Sequence, residues 1–221
     1  QCKHMRKYIA VLALFAVVLS TGCLGLTTYE APEPTVDNAT SANTSYELTE
    51  QEELVINESI RVTNIEVTSH LNSYERQNPT NQSIPFPTSR YIAISTPSVS
   101  VGGVELNPII LDPTDSTFDR VEERADESIK LGDQVGELNR TYVNGQNITI
   151  KEYDGSIEIE EVGAQFDATI LSSVVETDDS VLVMLGAYPS KAGDQKEDLV
   201  EMMINTTTVN ESSSEENQGS D

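Results

Sequence analysis

Val181-Leu-Val-Met-Leu-Gly-Ala-Tyr188 is the one unbroken apolar run beyond residue 22 of the chain. Eight residues bounded by Ser180 and Pro189 match the length of a strand. An apolar residue at every position, rather than at alternate ones, marks a strand covered on both faces. The run therefore predicts a central strand, and the rest of the fold is read outward from it.

Upstream, Phe166, Ala168 and Ile170 alternate with Gln165, Asp167 and Thr169, and Ile148/Ile150 and Ile157/Ile159 alternate with polar partners. Period-two alternation predicts half-buried strands. Ile65, Val67, Ser69 and Leu71 do the same against Glu66, Thr68 and His70 within strand-like residues 52–76. Arg90–Ser95 reads as a strand, and residues 78–89, with three prolines, as a loop. Ser98–Leu106 reads as a hairpin turning on Gly102-Gly103, since glycine accepts the positive φ of tight turns.

Two helices are expected. Asp115 or Ser116 can cap one running to about Ile129, with Phe118, Val121 and Ala125 on one face. Asp194 followed by Glu197 resembles a capping box that opens a second, with Leu199, Val200, Met203 and Ile204 inward. The fold class is α+β, a largely antiparallel β-sheet with two helices.

The N-terminus carries a different message. Gln1 to His4 show no pattern, and from Met5 the order is cationic Arg6-Lys7, an apolar stretch from Tyr8 to Leu19, then Ser20-Thr-Gly-Cys23. That is the order of a secretory signal peptide, and about 20 apolar residues would be needed to span a bilayer. Leu19-Ser-Thr-Gly-Cys23 looks like a lipobox, with Leu one place early. The only other cysteine, Cys2, precedes the cut, so an unpaired thiol at Cys23 would need an explanation. Lipid attachment supplies one, and anchors the chain without spanning. The expected division is 1–22 signal peptide, 23–50 lipid-anchored flexible tether with a short strand near Thr28–Ala31, 51–208 α+β domain, and 209–221 acidic disordered tail.

Composition points outward as well. The 221 residues hold 13 Lys+Arg against 37 Asp+Glu, a net charge of −24. Cutting before Cys23 discards Lys3, Arg6 and Lys7 and no acid, which deepens the charge to −27. Nucleic-acid binding needs clustered cations and is disfavoured. Acids spread along the chain with little Lys fit a halophile's surface protein, whose self-repulsion molar salt screens. Asn-x-Ser/Thr sequons at Asn38, Asn43, Asn57, Asn81, Asn139, Asn147, Asn205 and Asn210 exceed random placement and fit N-glycosylation of an exported surface.

Catalytic chemistry is sparse. Beyond the signal, His70 is the only histidine, and it reads as a solvated residue on the polar side of its strand. Phosphate-loop, dinucleotide and nucleophile-elbow motifs are missing from the sequence. Asp112, Asp115 and Asp119 lack the spacing of a calcium loop. No catalytic, cofactor-binding or metal residue is therefore assigned.

Tyr29-Glu-Ala-Pro-Glu-Pro-Thr-Val36, Ser45-Tyr46-Glu47, Ser95-Thr-Pro97, Val101-Gly-Gly-Val-Glu-Leu-Asn-Pro108 and the Val181–Pro189 strand occur in an order that resembles a group of haloarchaeal lipoproteins classed as a domain family of unknown function. The resemblance spans about residues 24–205 and departs at Ser45, where that family carries Gly. It implies a halobacterial cell-envelope lipoprotein and transfers no catalytic residue. The expectation is a non-enzymatic, lipid-anchored domain at the extracytoplasmic face of the cell membrane, bearing on envelope structure or an envelope protein or glycan partner. A carboxylate-dependent surface hydrolase and a solute-binding module remain the alternatives.

Overall fold

The computed structural model describes residues 26–60, 63–76, 89–98, 100–101, 104–105, 127–159, 164–177, 179–193 and 195–209. Strand β1 spans Leu26–Glu30, β2 Glu33–Val36, β3 Tyr46–Ile60, β4 Thr63–Arg76, β5 Ser89–Pro97, β6 Ser100–Val101 and β7 Val104–Glu105. β8 spans Glu127–Thr141, β9 Asn147–Ile159, β10 Ala164–Glu176, β11 Ser180–Pro189 and β12 Thr206–Val209. The two helices are α1, Asn38–Thr44, and α2, Gln195–Ile204.

The apolar run is the central strand β11, paired antiparallel to β5 on one side and β10 on the other. Its two faces go to different cores. Leu182, Met184 and Tyr188 join Tyr91, Leu171, Leu199, Met202 and Met203 on the face covered by α2. Val181, Val183, Leu185 and Ala187 join Leu71, Ile92, Ile94 and Ile170 on the other. The run is thus two interleaved period-two patterns, each buried aliphatic side chain contributing about 1.5–3 kcal/mol. Gly186 interrupts the first pattern beneath Leu199 of α2: a Cβ there would stand 3.0 Å from a Leu199 methyl carbon.

The main sheet runs β1-β4-β5-β11-β10-β9-β8, with β3 on the far side of β4. β4 has three partners. β3 covers one edge, while β1 (Leu26–Glu30 against Asn64–Thr68, parallel) and β5 (Ser89–Ser95 against His70–Arg76, antiparallel) follow one another along the other. β3 and β8 are the long outer strands, and the short β1 has β4 as its one ladder partner among the described residues. β3 is bulged between Leu48 and Glu50, and β8 between Leu131 and Gln134 and again before Gly136. Bulges and the acids Glu47, Glu50 and Glu53 blunt the edges against pairing with another chain.

Several expectations are corrected here. Residues 26–50, expected as tether, hold β1, β2, α1 and the start of β3. The polar, proline-containing composition of this stretch hid small buried contacts: Ala31, Val36, Thr40 and Thr44 are all buried. Asp37 caps α1, its Oδ1 accepting from the backbone N–H of Ala39 and Thr40, and its Oδ2 from the Thr40 hydroxyl. The Thr40 hydroxyl holds the Asp37 carboxyl below its ordinary value. Ser45 ends the helix at φ 60°, ψ 31°, a left-handed conformation. Val209, expected in the tail, is the last residue of β12.

The helix expected from Asp115 lies outside the described residues up to 126; its expected end, Glu127–Ile129, is instead the start of β8. There Ile129 pairs with Ile157, so pairing with a neighbouring strand replaces the expected helical turn. The helix after Asp194 is found as α2, with Leu199, Val200 and Met203 buried as expected and Met202 in addition. β6 and β7 pair around Gly102-Gly103 as a hairpin, though the glycines themselves lie outside the described residues. Residues 1–25, where the signal peptide and Cys23 were expected, and residues 210–221 also lie outside them.

Candidate functional site

The buried face beneath α2 is built around tyrosine hydroxyls. Thr206, the first residue of β12, donates its hydroxyl to Met202 O at 2.8 Å. With that proton spent, the Tyr91 hydroxyl must be the donor in its 2.5 Å bond with Thr206 Oγ1. Tyr142 donates to the Thr206 carbonyl. Tyr74 accepts from the Val36 N–H at 3.2 Å, and Tyr46 bonds Ser89. Burial pushes Tyr142 up to about 12 and Tyr91 well above the ordinary tyrosine value. The Tyr74, Tyr91 and Tyr142 hydroxyls stitch the β2–β12 ribbon and the end of α2 to the sheet, which is structural work.

Ion pairs fasten the other end of α2. Asp198 pairs with Arg76 on β4, and Glu197 with Arg140 on β8 at 3.9 Å. Lys196 pairs with Glu152 on β9 at 2.6 Å. Acids in the first turn also suit the positive end of the helix. The sequence did not reveal these pairs, because each joins residues more than 40 positions apart.

His70 is not the solvated residue expected: only 14% of its side chain is exposed, and its Nε2 lies 3.6 Å from Glu30 Oε1 at the end of β1. The parallel strand β1 beside β4 supplies that cover. Across the ladder His70 faces Ser95, so serine, histidine and carboxylate side chains gather here by type. Ser95 is 0% exposed and its hydroxyl has no hydrogen-bond partner. An activated nucleophile needs a bond to its base, and this serine lacks one.

A carboxylate cluster surrounds Arg90. Its Nη2 lies 3.4 Å from Glu75 and 3.7 Å from Glu50, and its Nε donates to Ser73 Oγ at 3.0 Å. Desolvation first, and the neighbouring Glu52 second, raise the Glu50 carboxyl. Its side chain is nonetheless 45% exposed on the outer strand β3, so the burial is only partial. Among the described residues no group of three or more His, Cys, Asp or Glu is placed to hold a metal ion. Asp112, Asp115 and Asp119 lie outside them.

Six sequons fall on described residues. Asn38 and Asn43 are exposed on α1, Asn57 on β3, Asn139 on β8 and Asn147 at the start of β9. Asn205 is half-buried, and its amide donates to Glu201 O at 3.0 Å, closing the end of α2. Asn81 and Asn210 lie outside the described residues, as does Cys23. Among the described residues no helix is long and apolar enough to cross a membrane.

Fold and site together define an α+β domain in which a long, mainly antiparallel sheet carries two helices and a small β-ribbon. The chain belongs to a domain family of unknown function, DUF6517, whose model matches residues 33–207. The match begins at β2 and ends in β12, the two strands that pair with each other, Thr35 opposite Thr207. The family unit therefore closes on its own ends. The chain matches none of the curated proteins.

Proposed function

We propose that the chain is a lipid-anchored cell-surface protein of a halophilic archaeon, a non-enzymatic envelope or binding domain held at the extracytoplasmic face of the membrane through a lipid on Cys23. The observation that carries this reading is the order cationic, apolar, small, Cys23, followed three residues later by the first strand of the domain. A folded domain that begins directly after an acylated cysteine is anchored close to the bilayer. The acid excess supports a salt-rich exterior, because Arg76, Arg90, Lys130, Arg140 and Lys196 are already paired and leave the remaining acids unbalanced. No nucleic-acid partner is proposed.

A carboxylate hydrolase draws support from one observation, the raised Glu50 carboxyl. Its exposure on an outer strand argues against it, since a catalytic acid needs a desolvated setting around the substrate.

The test is mass spectrometry of the mature N-terminal peptide purified from the native membrane. A lipid-modified Cys23 at the first position is expected. An unmodified Cys23, or a mature start elsewhere, overturns the anchor.

A further inference from the structure

Two of the sequons are interlocked. In the β8–β9 hairpin Asn139 stands opposite Thr149, and Thr141 opposite Asn147. The Asn of each sequon therefore faces the Thr of the other. All four residues are exposed. Their direction follows from Ile148 and Ile150, which are buried in the core under α2; strand alternation then turns Asn147 and Thr149 to the opposite side. On β8, Leu138 packs against the same core, and Asn139 and Thr141 point away from it. Glu137 opposite Lys151 extends the row. The result is a three-rung polar ladder on the outermost hairpin of the sheet.

The two asparagines are diagonal neighbours, about 7–8 Å apart in such a pair. They are not equivalent. The Thr149 hydroxyl donates to Asn139 Oδ1 at 3.1 Å. Asn147 follows directly on a turn in which Gly145 takes a φ of 86°, and its side chain makes no hydrogen bond among the described residues.

We propose that this hairpin is a modification site that takes one N-linked glycan, on Asn147 in preference to Asn139. The inference rests on the reading of the chain as exported. In the transfer, the side-chain amide nitrogen of Asn147 bonds to the anomeric carbon of a phosphate-activated sugar. The donor's C–O bond breaks, its phosphate leaves, and one amide proton passes to base. A transferase outside this chain supplies donor and base. A sugar on Asn147 lies over its diagonal neighbour, so the first glycan blocks the second. It also stands beside the open edge of β8 and screens it from pairing with another chain. Asn205 stays bare, because its amide closes α2.

The test uses the full chain purified from its native membrane. No lysine lies between Lys130 and Lys151, so a protease cutting after lysine releases residues 131–151 as one peptide with both sequons. Trypsin then cuts after Arg140 and separates them. The expected result is a single glycan mass on 131–151, carried by the 141–151 fragment. Thr149→Val should abolish modification of Asn147 while circular dichroism in high salt stays native. Two glycans on one peptide, or a glycan on Asn139 alone, overturn the proposal. A bare hairpin with glycan at Asn38, Asn43 or Asn57 also overturns it and leaves the exported reading standing. A bare chain with lipid on Cys23 overturns glycosylation but not the anchor, and a chain with neither overturns both.

Discussion

Tyr91 on β5 and Thr206 at the start of β12 are joined hydroxyl to hydroxyl at 2.5 Å, with Tyr91 the donor. Tyr91 is 0% exposed, so its hydroxyl depends on Thr206, whereas Thr206 keeps its own bond to Met202 O. Tyr91→Phe removes one hydrogen bond and should cost about 1 kcal/mol. Thr206→Val strands the buried Tyr91 hydroxyl and the Met202 carbonyl, and should cost about 1–3 kcal/mol. Denaturant unfolding in high salt compares them. If Tyr91→Phe proves the more damaging, the direction of the bond is wrong.

The buried tyrosines also make stability sensitive to alkali. Burial raises Tyr91 well above the ordinary value and Tyr142 to about 12, whereas in the unfolded chain both ionise near 10. The native state keeps protons that the unfolded state releases, so their contribution is complete below about pH 10 and is lost as pH rises toward 12 and beyond. Each such group costs about 1.4 kcal/mol per pH unit in that window. The part of the tyrosinate absorbance that Tyr142→Phe removes should appear together with unfolding; its appearance well before unfolding would contradict this. Tyr142→Phe should shift the transition to higher pH.

Ser45 holds a left-handed conformation at the end of α1, which glycine adopts without steric cost. Ser45→Gly should stabilise by about 0.5–1 kcal/mol and Ser45→Val should destabilise. Thermal melts of the two variants should move in opposite directions, and melts that move together would contradict the conformation.

Two glycines mark close approaches of different stiffness. A Cβ on Gly155 would stand 2.6 Å from the Lys130 carbonyl oxygen and 2.5 Å from Ile170 Cδ1. A backbone carbonyl held in the β8–β9 ladder cannot retreat, so Gly155→Ala should cost about 1–3 kcal/mol. At Gly186 the nearest atoms belong to the flexible end of Leu199, and Gly186→Ala should cost less. Chemical denaturation ranks them, and an equal or reversed order would refute the distinction.

Salt provides the broadest test. A charge of −24 over 221 residues opposes compaction unless it is screened, and the Debye length falls from about 10 Å at 0.1 M to about 3 Å at 1 M. The domain should lose its strand signal in circular dichroism as salt falls from about 3 M to about 0.1 M. Equal structure at both ends would remove the argument for a saline exterior.

How far the sequence could be read depends on how far apart the deciding contacts lie. Val181–Tyr188 announced the central strand because burial on both faces is written into consecutive residues. The 195–204 helix was legible from Leu199, Val200 and Met203, whose spacing is local. Residues 26–50 misled, because Ala31, Thr40 and Thr44 are small or polar and become core only when β2, α1 and α2 meet. His70 misled for the same reason: β1, 40 positions earlier, closes over it.

By itself, then, the sequence determined what repeats within a few residues: the strand and helix periodicities, the lipobox-like Leu19–Cys23, the acid excess and the positions of the sequons. The tertiary structure decided the rest. It gave β4 three partners, paired β2 with β12 to close the domain, set Tyr91 against Thr206 and crossed the Asn139 sequon with that of Asn147. The physical reason is that these pairings gain their energy between segments distant in the chain. Their residues carry no periodic mark of one another until the sheet brings them into register.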